Sequence, residues 1–260
     1  LTISIRGGSL PERKEHFMKM LSIQRTRGFT RRELMVVIFV LVAFITMLIP
    51  ACQKARQKSL RIDCISHMKQ LGTASRLWAG DHGDQNPAFA SATNGGWNEF
   101  LKSSNAGPSC WIYYKIMASE LGQSPQEVVC PADERLPAKN FGDDFKDNST
   151  VSYFVGANAN DLYPQSIQGG DRNLGPGNVP APDYGYSPAN GQGNDVVIKG
   201  PVCWSLKMHS HGNPAGAGNI VLGDGSCQQV SSAALNQNWL KNAQTGTNGT
   251  NLAGIRLVFP

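Results

Sequence analysis

From Leu34 to Cys52 the chain reads LMVVIFVLVAFITMLIPAC, nineteen residues with no charge and Thr46 as the only hydroxyl. As a helix at 1.5 Å per residue it is roughly 28 Å long, about the hydrocarbon thickness of a bilayer. A helix buried in a water-soluble core usually keeps one polar stripe toward solvent, and this run has none. It reads as a single membrane-spanning helix, and no second stretch of the sequence matches it. Arg25, Arg27, Arg31 and Arg32 precede it, which holds that end in the cytoplasm and sends the rest of the chain outward. A cleavable secretory signal needs a small-residue site after the apolar run, and Ala51 with Gln53 makes a poor one.

The formal net charge of +5 follows the same division. Residues 1–28 hold six Lys or Arg and two Glu, residues 51–79 hold six basic side chains against Asp63, and residues 80–260 hold ten basic against fifteen acidic. Positive charge therefore flanks the apolar run, while the larger part of the chain is acidic. That distribution speaks for membrane topology and against a basic nucleic-acid-binding surface, so no nucleic-acid partner is expected. With 40% hydrophobic and 17% charged residues, a coiled-coil rod, a polytopic membrane protein and a highly charged disordered chain are excluded as well.

Immediately before the apolar run stands Arg27-Gly28-Phe29-Thr30-Arg31-Arg32-Glu33. This resembles the N-terminus of type IV prepilins and type II secretion pseudopilins, in which a short basic leader ends in Gly and is followed by Phe-Thr, two residues, Glu and an apolar helix. The resemblance implies cleavage between Gly28 and Phe29 by an inner-membrane prepilin peptidase, methylation of the new Phe29 amine, and Glu33 as the assembly residue. A carboxylate at the edge of hydrocarbon is costly unless paired, and the N-terminal amine of a neighbouring subunit is a suitable partner. Arg31 and Arg32 depart from the apolar residues usual in the family. Their guanidinium groups can snorkel to a bilayer surface but need partners inside a filament. Residues 1–28 correspond to the leader, with translation expected to begin at Met18 or Met20.

After Pro50, Ile62, Ile65, Met68, Leu71, Ser75 and Trp78 recur three or four residues apart, which places one apolar stripe on a helix. A helix is therefore expected from about residue 30 to 79, divided into an anchor over 29–52 and an amphipathic shaft over 53–80. Pro50, which lacks an amide hydrogen, is expected to kink it. Asp81-His82-Gly83-Asp84-Gln85-Asn86 reads as the turn ending the helix, because it lacks the carboxylate spacing of a calcium loop. Over 81–260 a loop-rich head is expected, with a short helix at 111–121 and strands at 151–155, 196–204, 219–222 and 255–259. Residues 156–195, with eight Gly, five Pro and six Asn, read as a long irregular insertion. The fold class is α+β: a long kinked N-terminal helix packed on a small antiparallel sheet.

Two further patches resemble one branch of the same family. They are Val128-Val129-Cys130-Pro131-Ala132-Asp133 followed by Ser152-Tyr153, and a C-terminal module in which His211, a twelve-residue spacer and Asp224-Gly225 stand in order. In an exported chain the six cysteines favour disulfides. Cys203 with Cys227, which flank adjacent expected strands, is the first pairing to consider; Cys64 with Cys130 competes with it, and Cys110 is a further candidate. No Cys-x-x-Cys occurs, so neither a zinc ribbon nor a thioredoxin motif is present. His209, His211 and Asp224 form the one constellation with metal-ligand character, but Asp224-Gly225 reads more simply as a hairpin turn. There is no Gly-x-Ser-x-Gly elbow and no phosphate-binding Gly-Lys-Ser/Thr loop.

Together these features lead to the expectation of a non-enzymatic, cofactor-free structural subunit of a pseudopilus or pilus-like filament. It would sit in a bacterial inner membrane, N-terminus cytoplasmic and head periplasmic. Its partners would be the prepilin peptidase, other pseudopilin subunits, the inner-membrane assembly platform and the lipid bilayer. The alternatives are a single-pass membrane-anchored periplasmic binding protein using the 156–195 loops, and, third, a metal-dependent hydrolase.

Overall fold

The computed structural model describes residues 28–102, 109–159, 163–210, 215–240 and 255–260. The chain divides into two units, Leu1–Ala51 and Cys52–Pro260. Helix α1 (Arg31–Asp81) contributes its first part to one unit and the remainder to the other.

In the first unit every described residue is solvent-exposed, including the apolar side chains from Leu34 to Ile49. Length and composition make this helix able to cross a membrane. Pro50 stands inside the helical span.

The second unit is α+β, built on a six-stranded antiparallel sheet. Its strands are β1 (Tyr153–Gly156), β2 (Ile167–Asp171), β4 (Asn194–Ile198), β6 (Ala217–Leu222), β7 (Cys227–Ser231) and β8 (Ile255–Phe259), in the order β4-β8-β1-β2-β6-β7. Strands β3 (Leu174–Pro176) and β5 (Val202–Trp204) form a separate two-stranded sheet. Helix α2 (Cys110–Ile116) packs near β1.

Both faces of the larger sheet are covered, which explains the apolar runs Tyr153-Phe154-Val155 of β1 and Ile220-Val221-Leu222 of β6. Side chains alternate across a strand, so Tyr153, Val155, Val221 and Val258 enter one core with Met68, Leu71 and Trp78 of α1 and with Tyr113 and Tyr114 of α2. Phe154, Ile220, Leu222, Leu257 and Phe259 enter a second core with Leu174, Trp204 and Leu235.

The buried stripe of α1 begins at Cys64 and continues through Met68, Leu71, Ser75 and Trp78. Ile62, assigned to that stripe from spacing, is 53% exposed, because Cys64 holds the inward position one turn before Met68. The helix ends at Asp81 in the expected turn, where Asp84 N–H reaches back to the Ala79 carbonyl at 2.8 Å. Helix α2 is shorter than the sequence suggests. It gives way to turns that end with Gly122 and Gln123 at φ of 60° and 59°.

Two departures concern strands. The run 196–204 splits at Lys199-Gly200-Pro201 into β4 and β5, which belong to different sheets. The segment 156–195, expected to be irregular, contains β2 and β3. Ile167-Gln168-Gly169-Gly170-Asp171 has one branched residue, Ile167, and none of the aromatic residues that also mark strands, yet it lies between β1 and β6. Its glycines are required by packing: a Cβ at Gly170 would stand 2.6 Å from Phe154 Cζ and 2.8 Å from the Asn219 carbonyl oxygen. The strand is inconspicuous because Phe154 occupies the space its side chains would need.

Just beyond β2, Arg172 donates from Nε and Nη2 to both carboxylate oxygens of Asp133, at 2.7 and 2.8 Å, and its guanidinium lies 3.4 Å from the Tyr184 ring centre. The side chains of this pair are 4% and 0% exposed. Burial alone would raise the Asp133 carboxyl, but the Arg172 bonds and charge outweigh it and hold the group below its ordinary range. The stability it contributes is therefore present above the unfolded Asp value, about pH 4, and is lost as pH falls through the lower folded value. Asp133→Asn, which strands a buried guanidinium, should cost about 3–5 kcal/mol in urea unfolding at neutral pH. Its difference from wild type should shrink in strongly acidic solution.

Candidate functional site

The motif at the start of the apolar helix is exposed and outside regular secondary structure over residues 28–30, and α1 begins at Arg31. Thr30 is its N-cap. The Glu33 amide donates to Thr30 Oγ1 at 3.3 Å, and the Thr30 amide donates to Glu33 Oε2 at 2.9 Å. This reciprocal pair is a capping box, which satisfies two amides that the first turn would leave open. The Thr-x-x-Glu spacing that builds it is legible in the sequence, but the family resemblance drew attention to Glu33 as an assembly residue and not as a cap. Phe29 is 73% exposed, and a Cβ at Gly28 would meet no atom within 4 Å.

In the second unit four side chains with metal-binding atoms converge: Cys64 from α1, Cys130 from the loop after the 3-10 turn Pro125–Val128, Asp171 at the end of β2, and His209 from the 3-10 turn Met208–Ser210. Their ligand atoms all lie within 4.8 Å of one another. Cys64 Sγ is 3.1 Å from Asp171 Oδ1 and 3.5 Å from the Tyr153 hydroxyl. Cys130 Sγ is 3.2 Å from His209 Nε2, and the same nitrogen is 3.5 Å from Asp171 Oδ2. Asp171 Oδ2 also accepts the Asn219 amide at 2.7 Å. Met208, just before the histidine, stands at φ 54°, a costly conformation for a side-chain-bearing residue that the surrounding packing must enforce.

The group is closed to solvent. Cys64, Cys130 and Asp171 are buried and the His209 side chain is 1% exposed. Burial pushes the Cys64 thiol well up, reinforced by Cys130 and Asp171. Burial likewise raises Asp171 against the pull of His209. For His209 burial works downward, but Asp171 and Cys130 outweigh it and favour the imidazolium. No Lys or Arg forms an ion pair with Asp171 among the described residues. The Arg61 guanidinium of α1 also acts on Asp171, and it donates to Asn219 Oδ1 at 3.2 Å and to the Gly218 carbonyl at 3.1 Å.

The sequence-derived sites fare unevenly. His209 has metal-ligand company, but from Cys64, Cys130 and Asp171. Asp224 is elsewhere, in the β6–β7 hairpin turn, where its carboxylate accepts the Ser226 amide at 2.8 Å and Gly225 adopts φ 77°. The hairpin reading of Asp224-Gly225 therefore fits the structure, and among the described residues Asp224 is not part of the group that His209 joins. His211 lies outside the described residues. None of the six cysteines is bridged. Cys203 donates to Ser232 Oγ at 3.2 Å, Cys227 lies on β7 in the other sheet, and Cys110 donates to the Val258 carbonyl. Cys203 and Cys227 are separated because β5 belongs to the smaller sheet. Asp171 was not foreseen, since no local motif joins a carboxylate at the end of a glycine-rich strand to residues so distant in the chain.

Replacing Thr30 by Ala removes one half of the capping box and should weaken the first turn of α1 by about 0.5–2 kcal/mol, read as faster hydrogen exchange at Glu33 and its neighbours. Thr30→Ser, which keeps the oxygen, should restore most of the protection. No family model, curated protein or solved structure matches this chain.

Proposed function

We propose that this chain is a prepilin-like structural subunit, cleaved after Gly28, methylated on Phe29 and inserted by its apolar helix into a filament of the pseudopilus or pilus type. The reading rests above all on one observation: Gly28-Phe29 is exposed and outside regular secondary structure directly before a capped helix whose apolar stretch is wholly exposed. A peptidase needs an accessible scissile segment, and Gly28-Phe29 meets that need without unfolding a helix or strand. The apolar helix would be held first by lipid and then by neighbouring copies, and the second unit would be carried on the periplasmic side of a bacterial inner membrane. The peptidase, other pseudopilin subunits and an inner-membrane assembly platform are the partners this reading requires.

Glu33 would serve in two successive states. In the precursor it caps its own helix, and after cleavage the new Phe29 amine of a neighbour becomes a competing, charged donor. Charge-assisted hydrogen bonds are roughly twice as strong as neutral ones, which favours the exchange once the site leaves water.

Mass spectrometry of chain recovered from membranes should find an N-methylated Phe29 at the mature N-terminus. An intact segment ahead of Phe29 in membrane-inserted protein would overturn the proposal. Gly28→Ala should block processing while leaving the fold unchanged, because the added methyl meets nothing in the chain itself. Glu33→Ala should still be processed but fail to co-assemble with wild-type subunits.

A further inference from the structure

We propose that Cys64, Cys130, Asp171 and His209 are the four ligands of a closed structural zinc site that fastens α1 to the sheet of the second unit. Zinc bonds of about 2.3 Å to sulfur and about 2.0 Å to nitrogen or oxygen place tetrahedral donors roughly 3.3–3.8 Å apart. The separations here are 3.1 Å from Cys64 Sγ to Asp171 Oδ1, 3.2 Å from Cys130 Sγ to His209 Nε2 and 3.5 Å from that nitrogen to Asp171 Oδ2. These pairs lie close to that range, and all four ligand atoms lie within 4.8 Å of one another, so closing on one ion takes side-chain adjustments of up to about 1 Å.

Donor chemistry points the same way. Two sulfurs, one imidazole nitrogen and one carboxylate oxygen form a mixed set that suits zinc and not the oxygen-only preference of calcium or magnesium. With no solvent-facing member, the site has no open position for a substrate water, which makes it structural and not catalytic. The Asn219 amide on Asp171 Oδ2 fixes the carboxylate, as outer partners of metal ligands commonly do. On binding, Zn²⁺ displaces to solvent the thiol protons of Cys64 and Cys130 and the Nε2 proton of the His209 imidazolium, and His209 ligates as neutral imidazole through Nε2. Two thiolates, one carboxylate and Zn²⁺ leave one net negative charge, offset by the half-buried Arg61 guanidinium beside Asn219.

A Cys64–Cys130 disulfide is the competing use of the same sulfurs. It would engage two of the four groups and leave Asp171 buried with His209 alone as its counter-charge. The two thiols interact with each other, and each is also hydrogen-bonded to a non-thiol member of the cluster, Cys64 to Asp171 and Cys130 to His209, contacts that four-way ligation uses and a disulfide does not.

The full chain, extracted from membranes in mild detergent without chelator, should carry about one zinc per molecule by elemental mass spectrometry. Cys64 and Cys130 should be shielded from alkylation until chelator is added. Zinc content should fall about tenfold or more in Cys64→Ser and in His209→Ala, while Cys227→Ser should retain it. Because ligand variants can misfold, the wild-type chain supplies an independent measurement. After chelation under reducing conditions, Co²⁺ should bind one to one with intense tetrahedral visible bands and a sulfur-to-cobalt charge-transfer band. A Cys64–Cys130 disulfide in the chain as extracted overturns the proposal whatever the reduced protein binds. So do free thiols that take up no cobalt, and zinc retained by both ligand variants.

Discussion

The second unit depends on the burial of one stripe of α1, from Cys64 through Met68 and Leu71 to Trp78, against a sheet whose other face is also covered. A sheet buried on one side alternates apolar and polar residues, whereas one buried on both sides must be apolar throughout its central strands. Ser152-Tyr-Phe-Val155 and Asn219-Ile-Val-Leu222 follow from that constraint, as does the glycine-rich β2 that gives way to Phe154. The helix, the sheet and the second core therefore share one packing problem, and Tyr153, Phe154 and Val155 take part in both halves of its solution.

At the upper end of that stripe the apolar packing gives way to a polar cluster closed to water. Buried polar groups usually find partners, and much of this cluster is satisfied within itself, thiol to carboxylate, thiol to imidazole and carboxylate to backbone amide, while His209 Nδ1 is buried with no hydrogen-bond partner among the described residues. It joins α1, the Cys130 loop, β2 and the turn before β6. The Asp133–Arg172 pair close by in sequence makes a different kind of connection, a bidentate ion pair that ties the Cys130 loop to the residue following Asp171. The Cys130 loop and β2 are thus joined by Asp133 with Arg172 and, through His209, by Cys130 with Asp171.

The N-terminal motif is governed by another rule. Nothing in the chain packs on it, so its local structure comes from backbone hydrogen bonding at a helix start, and Thr30 with Glu33 supplies that. Under the proposed function the same carboxylate is later drawn away by an amine. A residue can hold both roles because a cap on an exposed helix is worth only about 1 kcal/mol, little enough for a charged partner in a drier environment to exceed.

The amino-acid sequence alone determined what depends on short-range order. Nineteen uncharged residues dictate the apolar helix, the three-and-four spacing dictates the shaft, and the branched and aromatic runs give β1, β6 and β8. Asp224-Gly225 gives the hairpin turn in the same way. Tertiary structure alone decided that a glycine-rich stretch would be a central strand, because the reason is a phenylalanine on the neighbouring strand. It also decided that Cys203 and Cys227 would part into different sheets, and that His209 would meet Cys64, Cys130 and Asp171 in place of Asp224. Such a site has no spacing to read, since its donors become neighbours only when the chain has folded.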